Sequence, residues 1–123
     1  MRVITKEKNN NIIALVQSDE LLIMDIQSAL DFIATVNYES GCNRIVINKE
    51  AITEDFFKLS TGLAGEILQK FVNYRVKLAI VGDFSGYTSK PLKDFIYECN
   101  HGNHVFFVVS EDEAIEKLAA AKG

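Results

Sequence analysis

The chain lacks any apolar run near the roughly 18 residues a membrane-spanning helix needs, so no membrane segment is expected. It also lacks a basic cluster. Thirteen lysines and arginines stand against 17 aspartates and glutamates, a net charge of −4. That balance argues against a nucleic-acid partner, whose phosphates need neutralising. Cysteine is scarce: Cys42 and Cys99 are the only two. They make no disulfide framework and read as reduced thiols of a cytoplasmic protein. The opening MRVITKEKNNN is too polar for a secretory signal. Neither a Walker loop nor a dinucleotide fingerprint is present.

What is present describes an ordinary globular protein. Of 123 residues, 48% are hydrophobic and 24% charged, which excludes a disordered chain. That length buries a core without metals or disulfides. One domain over residues 1–123 is expected, with no internal repeat and no linker.

Periodicity supplies the elements. Residues 2–7 and the run Ile12–Val16 flank Asn9-Asn10-Asn11, a hairpin signal. From Asp25, Ile26, Ala29, Leu30, Ile33 and Asn37 recur at helical spacing up to the stop at Gly41. Phe32 and Val36 form a second stripe, either buried or left as an apolar patch; the buried reading is preferred. Arg44–Asn48 is a β-branched strand. A longer link over 49–59 follows, in which Thr53-Glu54-Asp55 starts a single turn carrying Phe56 and Phe57. The next helix is expected over Thr61–Tyr74, with Leu63, Ala64, Ile67, Leu68, Phe71 and Val72 inward. Lys77–Gly82 reads as a buried strand, and Ser89 with Pro91 opens a helix. Its buried face is Leu92, Phe95, Ile96 and Cys99. Val105–Val109 is the last strand, and Ser110-x-x-Glu113 is a capping box for the last helix. The order β-β-α-β-α-β-α-β-α implies an α/β fold. A mainly parallel five-stranded sheet is expected, with the N-terminal strand as an antiparallel edge.

The run Ser60-Thr61-Gly62-Leu63-Ala64-Gly65, followed by an amphipathic helix and a buried strand, resembles the signature of STAS domains, the anti-sigma factor antagonists and their relatives. There a D-S-x-G-L-G stretch opens the helix after the third strand. Its serine is phosphorylated by a partner kinase, which releases the partner. The resemblance implies a STAS-like fold with Ser60 as that serine. The family's aspartate falls on Leu59 here, and Ala64 lies one place inside the pattern. A wider stretch, about Ile23 to Leu118, is similar to a bacterial family known only as domain of unknown function 4180. Asp55-Phe56-Phe57, Thr61 to Phe71, Ala79 to Phe84 and Phe95 to Glu98 carry that likeness. It implies no activity.

Ligands of parallel α/β sheets gather at the carboxyl ends of the strands. The residues expected there are Lys49, Phe56, Phe57, Ser60, Thr61, Gly62, Asp83, Ser85, Tyr87, Thr88, Ser89 and Lys90. Ser60 and Thr61 are the candidate phosphoacceptors. Helix starts at this edge favour anions, although serines and threonines there also serve as plain caps. Asp83 follows Gly82 at a strand end and reads as a cation ligand, a loop cap or an ion-pair partner of Lys49. It has no second carboxylate or histidine beside it for catalysis. Gly62, Gly65 and Gly82 suit close helix–sheet packing as well as a binding role. Cys99, His101 and His104 have metal-ligand chemistry, but their spacing matches no zinc pattern. Both histidines belong to the edge opposite Ser60, so no nucleophilic triad forms. No metal and no cofactor is expected.

The leading expectation is a non-enzymatic, cytoplasmic signalling module that binds a protein partner, with Phe56, Phe57 and Tyr87 as apolar contacts beside Ser60. The alternative is a sensor of a nucleotide or other anion at the starts of the second and third helices. An enzyme ranks last. A homodimer through Phe32 and Val36, or through the first strand's edge, is the competing assembly.

Overall fold

A computed structural model describes residues 1–122. Arg2–Lys8 (β1) runs antiparallel to Asn11–Gln17 (β2), with Lys8 opposite Asn11. Asn9 and Asn10 therefore form the turn, at φ +53° and +66°. A two-residue hairpin turn of the mirror type requires two such angles, and asparagine tolerates them. Asp25 caps helix Ile26–Ser40 (α1) by accepting from the Ser28 N–H at 2.8 Å, and Ser28 Oγ accepts from the Asp25 N–H at 3.0 Å. Gly41 ends the helix at φ +70°.

The chain then alternates: strand Arg44–Asn48 (β3), helix Leu63–Asn73 (α2), strand Lys77–Val81 (β4), helix Lys90–Asn100 (α3), strand Val105–Val108 (β5) and helix Glu111–Ala120 (α4). The five strands form one sheet in sequence order, parallel except for β1 at its edge. The α/β expectation holds in element order and sheet direction.

Crossovers through α1, α2 and α3 all step the same way along this sheet. A single handedness then places all three helices on one face. The packing agrees. Val16, Ile47, Ile80 and Phe107 lie in one core with Phe32, Val36, Ile67, Phe71 and Leu92 of α1–α3. The alternate strand residues Leu15, Val46, Ala79 and Phe106 form a second core with Ala114, Ile115, Leu118 and Ala119 of α4. Both faces are covered, which is why the inner strands read as continuous apolar runs.

Phe32 and Val36 are buried, with the Phe32 ring edge-on to Phe71 at 6.4 Å. They widen the core face of α1 and are not available as a dimer surface. Asn37, read as inward, is exposed, and so is Val72 on α2. No helix among the described residues is long and apolar enough to cross a membrane.

Candidate functional site

Beyond β3 the chain makes three successive 3-10 turns, Lys49–Ala51, Glu54–Phe57 and Leu59–Thr61, before α2 begins. This connector covers the carboxyl ends of β3 and β4. Its root is polar. Asn48 is 8% exposed, accepts from the Ser18 N–H at 3.0 Å and donates to the Ser18 carbonyl at 2.7 Å. It locks the end of β3 to the chain leaving β2 and is a structural residue.

Lys49 organises the edge. Its ammonium lies 2.9 Å from Glu54 Oε1. It also sits 5.3 Å from the ring centre of Phe57 and 5.1 Å from that of Tyr87, within cation–π range. Those two rings stack on each other at 5.3 Å. The Tyr87 hydroxyl lies 3.0 Å from Glu54 Oε2 and donates to that carboxylate. Burial alone would lower the Lys49 pKa, but the Tyr87 hydroxyl and the Glu54 carboxylate outweigh it and hold the ammonium above its ordinary value. Lys49 in turn holds the Glu54 carboxyl below its ordinary value, against a smaller opposing effect of burial. Burial pushes the Tyr87 phenol up. The aromatic packing continues inward, from Phe57 to Phe84 at 5.9 Å and from Phe84 to Phe107 at 5.5 Å.

The cluster changes the reading of several site residues. Phe56 and Phe57 are 1% and 3% exposed. They are core residues of the connector and present no surface to a partner. Tyr87 is half-buried, with its hydroxyl committed to Glu54. Lys49 pairs with Glu54, not with Asp83. Asp83 instead accepts from the Ser85 N–H at 2.9 Å and the Ser85 hydroxyl at 2.6 Å. Those bonds lower its pKa and make Asp83 a loop cap. Ser89 caps α3, accepting from the Leu92 N–H at 3.4 Å. Lys90 pairs with Asp94 one turn on, at 2.7 Å. Thr88 is exposed on the same loop.

The motif itself is displaced from its expected role. α2 starts at Leu63, two residues later than the periodicity suggests, and its N-cap is Gly62 at φ +76°. Thr61 Oγ1 lies within donating distance of the Asp55 and Lys58 carbonyls, at 3.0 and 2.9 Å, and accepts from the Leu63 N–H at 3.1 Å. Thr61 thus ties the connector to the helix. Ser60 is exposed and, among the described residues, its hydroxyl makes no protein hydrogen bond. Of the two candidate phosphoacceptors, Ser60 is the uncommitted one, and neither serves as the N-cap residue.

The three glycines separate as well. Gly62 is needed for its positive φ. Gly82 is needed because a Cβ there would stand 2.6 Å from Lys49 Cβ. Gly65 shows neither feature, since an added Cβ meets nothing within 4 Å. Close helix–sheet packing does not explain it.

At the other end of the sheet, His101 holds the C-terminus of α3, with Nδ1 2.7 Å from the Tyr97 carbonyl. Cys42 and Cys99 are both free. Burial, and then the charge of Glu98, pushes the Cys99 thiol up to about 11, so it is no thiolate nucleophile at neutral pH.

Sequence reasoning missed Glu54 and Phe84 as members of the cluster. Lys49 and Glu54 stand in separate short turns, with no periodic element whose spacing would pair them.

A family model described as a domain of unknown function, DUF4180, matches residues 8–118. The chain belongs to that family. No curated protein and no solved structure matches it.

Proposed function

We propose that the protein is a non-enzymatic regulatory module of STAS-like type. It binds a protein partner through the carboxyl edge of its sheet, in a bacterial cytoplasm, and is switched by phosphorylation of Ser60. The observation that carries this reading is the contrast between neighbours. The Thr61 hydroxyl is consumed by the connector, while that of Ser60 is exposed and unbonded just ahead of α2. A phosphoryl group there adds about −1.5 to −2 charge. It would stand close to the positive end of the α2 dipole. The surface offered to the partner is polar: Ser60, Thr88, Ser89 and Lys90 are exposed, whereas Phe56 and Phe57 are buried.

The test uses wild type, Ser60→Ala and Ser60→Asp as baits in lysate of the source organism, followed by titration of any captured partner in purified form. The expected result is retention by wild type and Ser60→Ala, with affinity for Ser60→Asp about tenfold or more lower. Equal affinity for wild type and Ser60→Asp removes the switch.

One observation favours a second reading, an anion or nucleotide sensor. The N-cap of α2 is a glycine, and Thr61 Oγ1 takes only the Leu63 N–H of the first turn, which leaves the following N–H groups as donors for an outside acceptor. A thermal-shift screen with phosphates and nucleotides tests it, because a ligand of the native state raises the melting temperature with dose.

A further inference from the structure

The amino end of the sheet, opposite Ser60, holds two adjoining hollows of different chemistry. One is a cavity of about 420 Å³ whose wall includes Arg44, Arg75, Lys77 and His104, with no aspartate or glutamate among its described lining residues. The other is a groove of about 380 Å³ between α2 and α3, whose apolar wall includes Leu68, Val72, Phe95, Cys99 and Val105, with Gly65 at its side. The two adjoin at Val72 and His104, which line both. Each is of the size of ordinary small-molecule sites, about 300–1,000 Å³.

The cations are short of counter-charge. Arg44 and Lys77 face each other in register on β3 and β4. Lys77 is 8% exposed and donates to the Asn103 and Lys122 carbonyls at 2.6 and 2.8 Å. Arg44 donates to the Leu118 and Ala121 carbonyls. The ion pairs among the described residues are Lys8–Glu116, Lys49–Glu54, Lys58–Asp55 and Lys90–Asp94, and none involves this wall. Burial, and then the charge of Arg44, lowers the Lys77 pKa. Closing the C-terminus of α4 accounts for Arg44 and Lys77. It leaves unexplained Arg75 and His104, which line the same cavity from exposed positions. An ammonium has three donors and a guanidinium five, so the buried Lys77 and the half-buried Arg44 keep N–H groups for an anion.

The groove has its own unexplained residue. Gly65 lies inside α2, where glycine is unfavourable, at a position with open space for a side chain. A side chain added there would meet nothing within 4 Å at its Cβ, at a position that lines the groove.

We propose that this end of the molecule binds a single-chain amphiphilic carboxylate, its aliphatic tail in the groove between α2 and α3 and its carboxylate at the Arg75–His104–Lys77 wall. The groove supplies apolar contact without charge, except for Glu98 at its rim. The cavity supplies cations without carboxylates. A ligand of matching polarity fills both. The site goes beyond the partner-binding edge and does not depend on it: its cationic wall lies at the opposite end of the sheet, and its groove runs from there along α2 as far as Gly65 in the first turn.

The test is calorimetric titration of the full chain with decanoate below its micelle concentration, with decanol and inorganic phosphate as the two half-ligands. Wild type is expected to bind decanoate at one site, with decanol and phosphate each at least about tenfold weaker. Gly65→Leu fills the groove where space is open, so the helix is retained. It should weaken decanoate at least about tenfold. Arg75→Gln should do the same from the head-group side, and Ser60→Asp should leave binding unchanged. Absence of decanoate binding overturns the proposal. So does binding that either Gly65→Leu or Arg75→Gln leaves intact, or phosphate binding as tight as that of decanoate.

Discussion

The Lys49 side chain crosses Gly82 so closely that a Cβ at residue 82 would stand 2.6 Å from Lys49 Cβ and 2.9 Å from its Cδ. The nearest clashing atom is fixed to the backbone, so swinging the ammonium away does not relieve it. Gly82→Ala should therefore cost about 1–3 kcal/mol, the usual range for overpacking. Lys49→Ala keeps its Cβ and should not rescue the variant, whereas Lys49→Gly should recover most of the loss. Urea unfolding of the four proteins measures this. Rescue by Lys49→Ala would mean that the long side chain, not the Cβ contact, excludes alanine at 82.

The Glu54 pairing predicts a specific acid sensitivity. The Glu54 carboxyl is held below its ordinary 4.5, chiefly by Lys49. A depressed folded pKa gives stability that is present above the unfolded value and lost as pH falls through the folded one. The advantage of wild type over Glu54→Gln should be constant from pH 7 to about 5. It should then shrink as pH falls below 4.5. Glu54 is mostly exposed, so solvent screening limits the effect to roughly 0.2–1 kcal/mol. Paired denaturation curves between pH 3 and 7 check it, and an advantage that grows toward acid would contradict the assignment.

Much of this fold was legible because regular elements carry periods. α1 was bounded at both ends by Asp25 and Gly41, and β3 by its β-branched run. The connector carries no period. Glu54 and Phe57 come from one short turn and Phe84 and Tyr87 from one later loop, and only tertiary packing brings the two to Lys49. Phe56 and Phe57 looked like partner contacts because the longer link over 49–59 has no period to mark a core beneath it. The segment 17–24, left without an element, forms an isolated parallel bridge between Ile23 and Ile52. A single bridge has no sequence signature. The start of α2 was misplaced because Ser60-Thr61 has the composition of a cap, whereas the 3-10 turn and the positive φ of Gly62 set the true boundary.

The two glycines of the motif should respond in opposite directions. Gly62 is at φ +76°, where an L side chain costs about 1–2 kcal/mol. Gly62→Ala should destabilise by about that amount, and Gly62→Asn by less. Gly65 has helical geometry and open space beyond its Cα. Gly65→Ala should stabilise by about 0.5–1 kcal/mol through helix propensity. Thermal melts of the three single variants decide it. Destabilisation by Gly65→Ala would point to a packing role at that position that the open space does not show.

Asn48 offers the sharpest test of the edge's foundation, since its amide both accepts from and donates to the Ser18 backbone. In Asn48→Asp the new carboxylate still accepts the Ser18 N–H, but it turns an oxygen toward the Ser18 carbonyl. Two facing acceptors at a site only 8% exposed should cost about 1–3 kcal/mol at pH 7. Burial, that carbonyl and the Glu50 carboxylate, whose Oε1 lies 3.4 Å from the Asn48 amide nitrogen, all raise the pKa of the new carboxyl above its ordinary value of about 3.9. Protonation makes it a donor again. The raised folded pKa means that the variant recovers as pH falls and loses stability as pH rises through that value. The gap from wild type should therefore be larger at pH 7 than at pH 4, read from urea midpoints. A gap unchanged between those conditions would show that neither the Ser18 carbonyl nor Glu50 penalises the charge.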